Sequence, residues 1–166
     1  MSWWKWITGL ALAVVLLAAP EAYSQASELA PSAYANAIEA ARTNMMSDPV
    51  AALENAQRAE QLVPVDFDGD TRNLALASAA WLQSEAMTRL GRPSEALPVA
   101  ERALALLGED PAPTKLFADT LLSIGRILKL TGEHGQALEI LQQAFDVYSA
   151  IGETRSQAIV LQSIGS

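Results

Sequence analysis

Asp66-Phe67-Asp68-Gly69-Asp70 is the densest run of acidic side chains in the chain. Carboxylates at alternate positions are what a calcium loop uses to surround a hard cation with oxygen, and such a loop also needs glycine sixth and glutamate twelfth. Counted from Asp66, those places hold Thr71 and Ala77, so the ligand set fails twice. The segment reads instead as an acidic loop between helices, with Asp70 as N-cap of the next one. His134 is the single histidine. No serine, carboxylate or second imidazole is spaced to form a catalytic group with it, and it reads as a solvated turn residue. Gly125, Gly132 and Gly135 punctuate helices rather than cradle a phosphate after a strand. With no cysteine there is no disulfide framework, thiolate zinc site or cysteine nucleophile. These residues point to no enzyme site, no metal and no cofactor.

The elements around them are helical. The 166 residues are 51% apolar and 18% charged, with a formal net charge of −8. That balance lacks the basic footprint of a nucleic-acid binder. The mean hydropathy, +0.16, is high for so acidic a chain, so the apolar residues must be unevenly placed. Part of the excess lies at the start. Lys5 is the only charge before Ile7 to Ala19, thirteen uncharged residues that lead to Pro20 and the small-x-small triplet Ser24-Gln25-Ala26. This is the layout of a secretory signal peptide over residues 1–26, cleaved after Ala26 or, second, after Ala22. The run is shorter than the about 20 residues needed to span a bilayer core. Alternatively the segment is an uncleaved anchor, with the three early tryptophans in the membrane interface. Either way the remainder is expected to be exported, periplasmic or otherwise extracytoplasmic, and held at the inner membrane if the segment is retained.

From Ser27 onward, alanine, leucine, glutamate, glutamine and arginine dominate, all good helix formers. The sequence also repeats. Gly91 precedes Ala96-Leu97 as Gly132 precedes Ala137-Leu138, an offset of 41 residues, and Ala103 and Ala144 follow at matching places. Ala52-Leu53 with Ala59 is an earlier copy, and Ser123-Ile124-Gly125 returns as Ser163-Ile164-Gly165 after 40 residues. A period of that size in a helical chain means stacked two-helix units. The best unit has helix A from about Lys115 to Leu130, a glycine C-cap at Gly132, and helix B from about Gln136 to Ala150. Small residues such as Gly125, Ala137 and Ala144 let the two backbones approach.

These residues resemble the tetratricopeptide repeat (TPR) family, in its longer subtype of about 40 residues per repeat. The resemblance rests on Leu121, Ile124, Gly125, Leu128, Gly132, Ala137 and Ala144 in the third unit. Ser84, Gly91, Ala96 and Ala103 carry it in the second, and Ala40, Ala52, Ala59 and Pro64 in the first. It implies an all-α solenoid of antiparallel helix pairs, a TPR-like right-handed superhelix of about three and a half repeats over 27–166. The units are about 29–65, 71–109, 115–152 and a partial 153–166. Two places depart from the family pattern. Pro98 should kink the second helix B or delay its start. Unit one replaces the turn glycine with Ser47-Asp48-Pro49, which still reads as an N-cap followed by proline at the first helical position.

The resemblance also implies a concave groove lined by the outer face of each helix A. Unit one would present Tyr34 and Asn44, unit two Trp81, Glu85 and Arg89, and unit three Asp119, Arg126 and Lys129. Trp81, Glu85 and Arg89 run i, i+4, i+8, and Arg126 and Lys129 are i, i+3, so each set shares a helical face. Arg89, Arg126 and Lys129 would make a basic patch fit for a carboxylate, with Trp81 as an aromatic anchor. Alternatively they are ordinary solvated residues, with Trp81 in the core. The expected function is an exported scaffold binding a protein or peptide, acidic or carboxylate-bearing. The alternative is the sensory part of a larger membrane signalling protein, such as a diguanylate cyclase or histidine kinase, with catalysis beyond residue 166. The last segment, Gln157 to Ile164, is apolar on one side and lacks a covering helix. That suggests a fragment of a longer chain, a partner that covers the segment, a half-repeat cap, or an end that stacks on another copy.

Overall fold

The computed structural model describes residues 33–109 and 111–165. The expected leader, the beginning of unit one and Ser166 lie outside them. Among the described residues there are seven helices and no strand: α1 at 33–44, α2 at Pro49–Gln61, α3 at Gly69–Arg89, α4 at Pro93–Leu106, α5 at Lys115–Thr131, α6 at His134–Ala150 and α7 at Thr154–Gly165. Each helix from α2 onward packs on the next along the chain, and α3 also touches α5. This is an all-α helical-repeat solenoid of antiparallel pairs. No described helix is long and apolar enough to cross a membrane.

The helix ends follow from local chemistry. Asp48 Oδ1 accepts the Ala51 amide at 3.0 Å, with Pro49 in the first turn, so unit one opens its second helix without a glycine. The acidic loop caps α3 too, but one residue pair earlier than expected. Asp68, not Asp70, is the N-cap: its Oδ1 accepts the Thr71 amide at 2.9 Å and its Oδ2 accepts the Thr71 hydroxyl at 2.8 Å. Asp68 wins because a residue bearing both an amide and a hydroxyl stands three positions on. Asp70 falls in the first turn, where its charge still suits the positive end of the helix. Gly91 and Gly132 both sit at positive φ, 72° and 92°. At each, the following amide reaches back to close the helix end, Arg92 to the Met87 carbonyl at 3.0 Å and Glu133 to the Leu128 carbonyl at 2.8 Å. The repeated glycine is thus a repeated turn.

Pro98 does not delay the start of α4, which begins at Pro93 and runs through it. The side chain is exposed, and the one carbonyl deprived of its helical donor, that of Ser94, belongs to an exposed residue open to water. His134 is the first residue of α6 rather than part of the turn, and it is exposed.

The small residues singled out by the repeat form the seams. Ala52, Ala59, Ala96, Ala103, Ala137 and Ala144 are all buried. Gly125 shows why: a Cβ there would lie 2.7 Å from Leu141 Cγ. Ala40 does not fill the corresponding place in α1. It is half-buried, and Ala37, Ala41 and Met45 make that seam instead. Leu121, Ile124 and Leu128 are buried as expected, whereas Leu130 and Leu138 are 62% and 52% exposed.

Candidate functional site

The helix-A faces of the second and third units meet where α3 crosses α5. At the end near the α5 N-terminus, polar side chains are consumed by one another. Trp81 Nε1 donates to Ser123 Oγ at 3.0 Å, and Ser123 Oγ donates to Glu85 Oε1 at 2.5 Å. Trp81 is partly buried and packs on the core shared by α1, α2 and α3. It is therefore a packing residue whose polar edge is satisfied by the next repeat, in keeping with a large aromatic that buries its ring and pairs its N–H.

Asp119 is committed in the same way. Lys115 Nζ donates to its two oxygens at 2.8 and 2.9 Å, and the Tyr148 hydroxyl donates to Oδ1 at 2.5 Å. Burial, and then the adjoining Asp119 carboxylate, push the Tyr148 phenol far above its ordinary range, because both disfavour a second negative charge there. Lys115 lies 5.9 Å from the centre of the Tyr148 ring. Tyr34 donates to the Ala75 carbonyl at 3.0 Å and so ties α1 to α3; burial raises its phenol as well. Asn44 ends α1, where its carbonyl accepts the Ser47 and Asp48 amides.

The opposite end of the crossing is open. A cleft of about 380 Å³ is lined by Glu85, Thr88 and Arg89 of α3, Arg126, Lys129 and Leu130 of α5, and Gln162 and Ser163 of α7. Arg126 is exposed and has no ion pair or hydrogen bond among the described residues. Arg89 approaches Glu85 at 3.9 Å while Glu85 also holds Ser123. Lys129 donates to the Ser163 carbonyl and so ties α5 to α7 at the cleft floor. Three cations therefore face one carboxylate, itself largely covered, in a protein of net charge −8. Leu130 adds an exposed apolar side chain at the lip. Guanidinium groups fork onto carboxylates, so this surface can hold an anionic group beside an apolar one.

The cleft gathers Glu85, Arg89, Arg126 and Lys129 of the expected set, and leaves Tyr34, Asn44, Trp81 and Asp119 outside its lining. Four further lining residues escaped the sequence reading. Leu130 is one turn beyond Arg126, and Ser163 is the 40-residue counterpart of Ser123, so both were within reach of helical spacing and the repeat. Thr88 and Gln162 carried no signal. Among the described residues no three His, Asp or Glu side chains gather as metal ligands. Comparison of the chain with protein-family models, with curated proteins and with solved structures finds no match to any of them, so the reading of this cleft rests on its own residues.

Proposed function

We propose that this chain is an exported, TPR-type scaffold, not itself a catalyst, which binds an acidic or carboxylate-bearing segment of a protein or peptide in the cleft between α3, α5 and α7. The observation that carries this is the convergence of Arg89, Arg126 and Lys129 beside the exposed Leu130. A helical scaffold suits such a role because its lining side chains stand on packed helices, so little ordering is left to the moment of binding. The leader over residues 1–26 supports export, with a mature chain starting at Ser27.

The test compares recovery of partners on the immobilised chain and on Arg126→Glu. Arg126 is exposed and unpaired among the described residues, so the fold should be untouched. Loss of a hydrogen-bonded charge pair costs about 1.5–3 kcal/mol, so a specific partner should fall roughly ten- to a hundred-fold in recovery. The same partner should be released by raised salt, because exposed charges are screened. Recovery that is unchanged in the variant removes the cleft from the function.

A further inference from the structure

One carboxylate stands inside the cationic cleft between α3 and α5. Glu85 lines it together with Arg89, Arg126 and Lys129. This carboxylate is moored. Its Oε1 accepts the Ser123 hydroxyl at 2.5 Å, and Ser123 Oγ accepts the Trp81 N–H at 3.0 Å, so the group is tied across two repeats. The Glu85 side chain is only 16% exposed. Its other oxygen, Oε2, lies 3.9 Å from Arg89 Nη2, too far for a hydrogen bond. Among the described residues nothing else engages Oε2. An acceptor and a guanidinium thus stand side by side without closing on each other. Arg126 adds a second guanidinium, exposed and without an ion pair among the described residues. Leu130, 62% exposed, adds an apolar surface one turn further on. These residues all stand on α3 and α5, so the arrangement owes nothing to the last helix.

We propose that this cleft also binds a free α-amino acid with an apolar side chain, its ammonium on Glu85 Oε2, its carboxylate on Arg89 and Arg126, and its side chain against Leu130. The inference rests on the reading of the cleft as a binding site and adds to it a small ligand that competes with the partner segment.

The spacing of the charges selects the ligand. A carboxylate and a guanidinium 3.9 Å apart match two opposite charges borne by one carbon, each meeting its opposite in the protein. A ligand with a carboxylate alone engages the guanidinium groups and leaves Glu85 Oε2 unmatched. An α-amino acid engages both, through charge-assisted hydrogen bonds, the stronger kind. The mooring of Glu85 through Ser123 and Trp81 leaves little to be ordered on binding. The cleft volume, about 380 Å³, lies at the small end of the range for small-molecule sites, about 300–1,000 Å³.

The test is calorimetric titration of the full chain with L-leucine, with N-acetyl-L-leucine, which lacks the ammonium, and with L-leucine amide, which lacks the carboxylate. Leucine should bind saturably, and each blocked form at least about tenfold more weakly, as the loss of one charged hydrogen bond implies. Arg126→Ala should weaken leucine about tenfold with the helical circular dichroism unchanged, since the side chain is exposed. Glu85→Gln keeps an oxygen to accept the Ser123 hydroxyl and loses the charge. It should weaken leucine at least about tenfold while N-acetyl-leucine binds as before, so the preference between the two collapses. A merely structural role for Glu85 would weaken both ligands alike. Failure of leucine to bind the wild-type chain overturns the proposal, as does leucine binding that survives both Glu85→Gln and Arg126→Ala. N-acetyl-leucine binding as tightly as leucine also overturns it, and leaves the cleft as a site for carboxylates alone. Whether a protein partner occupies the cleft is decided separately, by its recovery on Arg126→Glu.

Discussion

The two ends of the α3–α5 crossing both carry polar and charged helix-A side chains and behave differently. At one end Trp81, Ser123, Glu85, Asp119, Lys115 and Tyr148 satisfy one another across three helices. At the other, Arg89, Arg126 and Leu130 line an open cleft, beside Lys129, which is held to the Ser163 carbonyl of α7. Helical spacing alone puts both groups on one face. What separates them is the neighbouring helix: α6 brings Tyr148 onto Asp119, and α5 brings Ser123 between Trp81 and Glu85, whereas no described helix covers Arg126. A polar side chain on a repeat surface is thus available to a ligand only where the next repeat has not already taken it.

The sharpest way to break this contrast is Trp81→Ala. If Trp81 is a packing residue, its loss should cost about 3 kcal/mol, at the low end for a large aromatic because the ring is only partly buried. Urea unfolding should show this as a lower midpoint, and a cost below about 0.5 kcal/mol, the range of an ordinary surface substitution, would move Trp81 to the ligand side. Next in size, Tyr148→Phe should cost about 1–2 kcal/mol, since it removes one charge-assisted hydrogen bond while Lys115 continues to serve Asp119. Its pH dependence has a definite sign. The folded phenol is held far above its ordinary range, and the unfolded one ionises near pH 10. The stability it contributes is therefore present below about pH 10 and declines as the pH rises further. Denaturation of wild type and Tyr148→Phe at pH 8 and pH 11 should show the gap between them narrowing at the higher pH.

Smaller still is the bridge between α2 and α4. Glu60 accepts from Arg102 and, at 2.6 Å, from Gln83 of α3. The Arg102 hydrogen bond, opposed by some desolvation and assisted by Gln83, holds the Glu60 carboxyl below its ordinary range. Its contribution is present above that range and is lost as the pH falls through the lowered pKa. At the surface the bridge is worth about 0.5–1 kcal/mol. Glu60→Gln should lower stability by that amount at pH 7, with the difference from wild type vanishing under acid. The smallest effect belongs to the open end: Arg126→Ala should change stability by less than about 0.5 kcal/mol. A larger loss in thermal unfolding would mean that Arg126, too, is structural.

Most of the fold was legible because the repeat is written in small residues and glycines. Gly91 and Gly132 mark turns whose backbone only glycine adopts without strain, and Ala137 and Ala144 mark a seam too narrow for larger side chains. Unit one was harder to read. Its seam uses Ala37 and Ala41 rather than Ala40, since no glycine fixes where the repeat begins. The cap of α3 fell on Asp68 because three aspartates compete within five residues and the choice turns on Thr71. In the candidate site, spacing identified the face but not which members of it were already engaged. Asp119 and Trp81 look as available in the sequence as Arg126 does. Their partners, Tyr148 and Ser123, lie 29 and 42 residues away, at distances only the packed repeats bring together.

We propose that the cationic end of the crossing is where this protein meets its partner. Site-specific photo-cross-linking tests it most directly, with a photoreactive residue in place of Leu130 at the cleft lip and, as control, of Val65, which is 87% exposed on the loop before α3. Position 130 should give a discrete adduct with a protein or peptide that position 65 does not give, and Arg126→Glu should abolish it. An adduct equally strong at both positions, or one at position 130 indifferent to Arg126→Glu, would contradict the account.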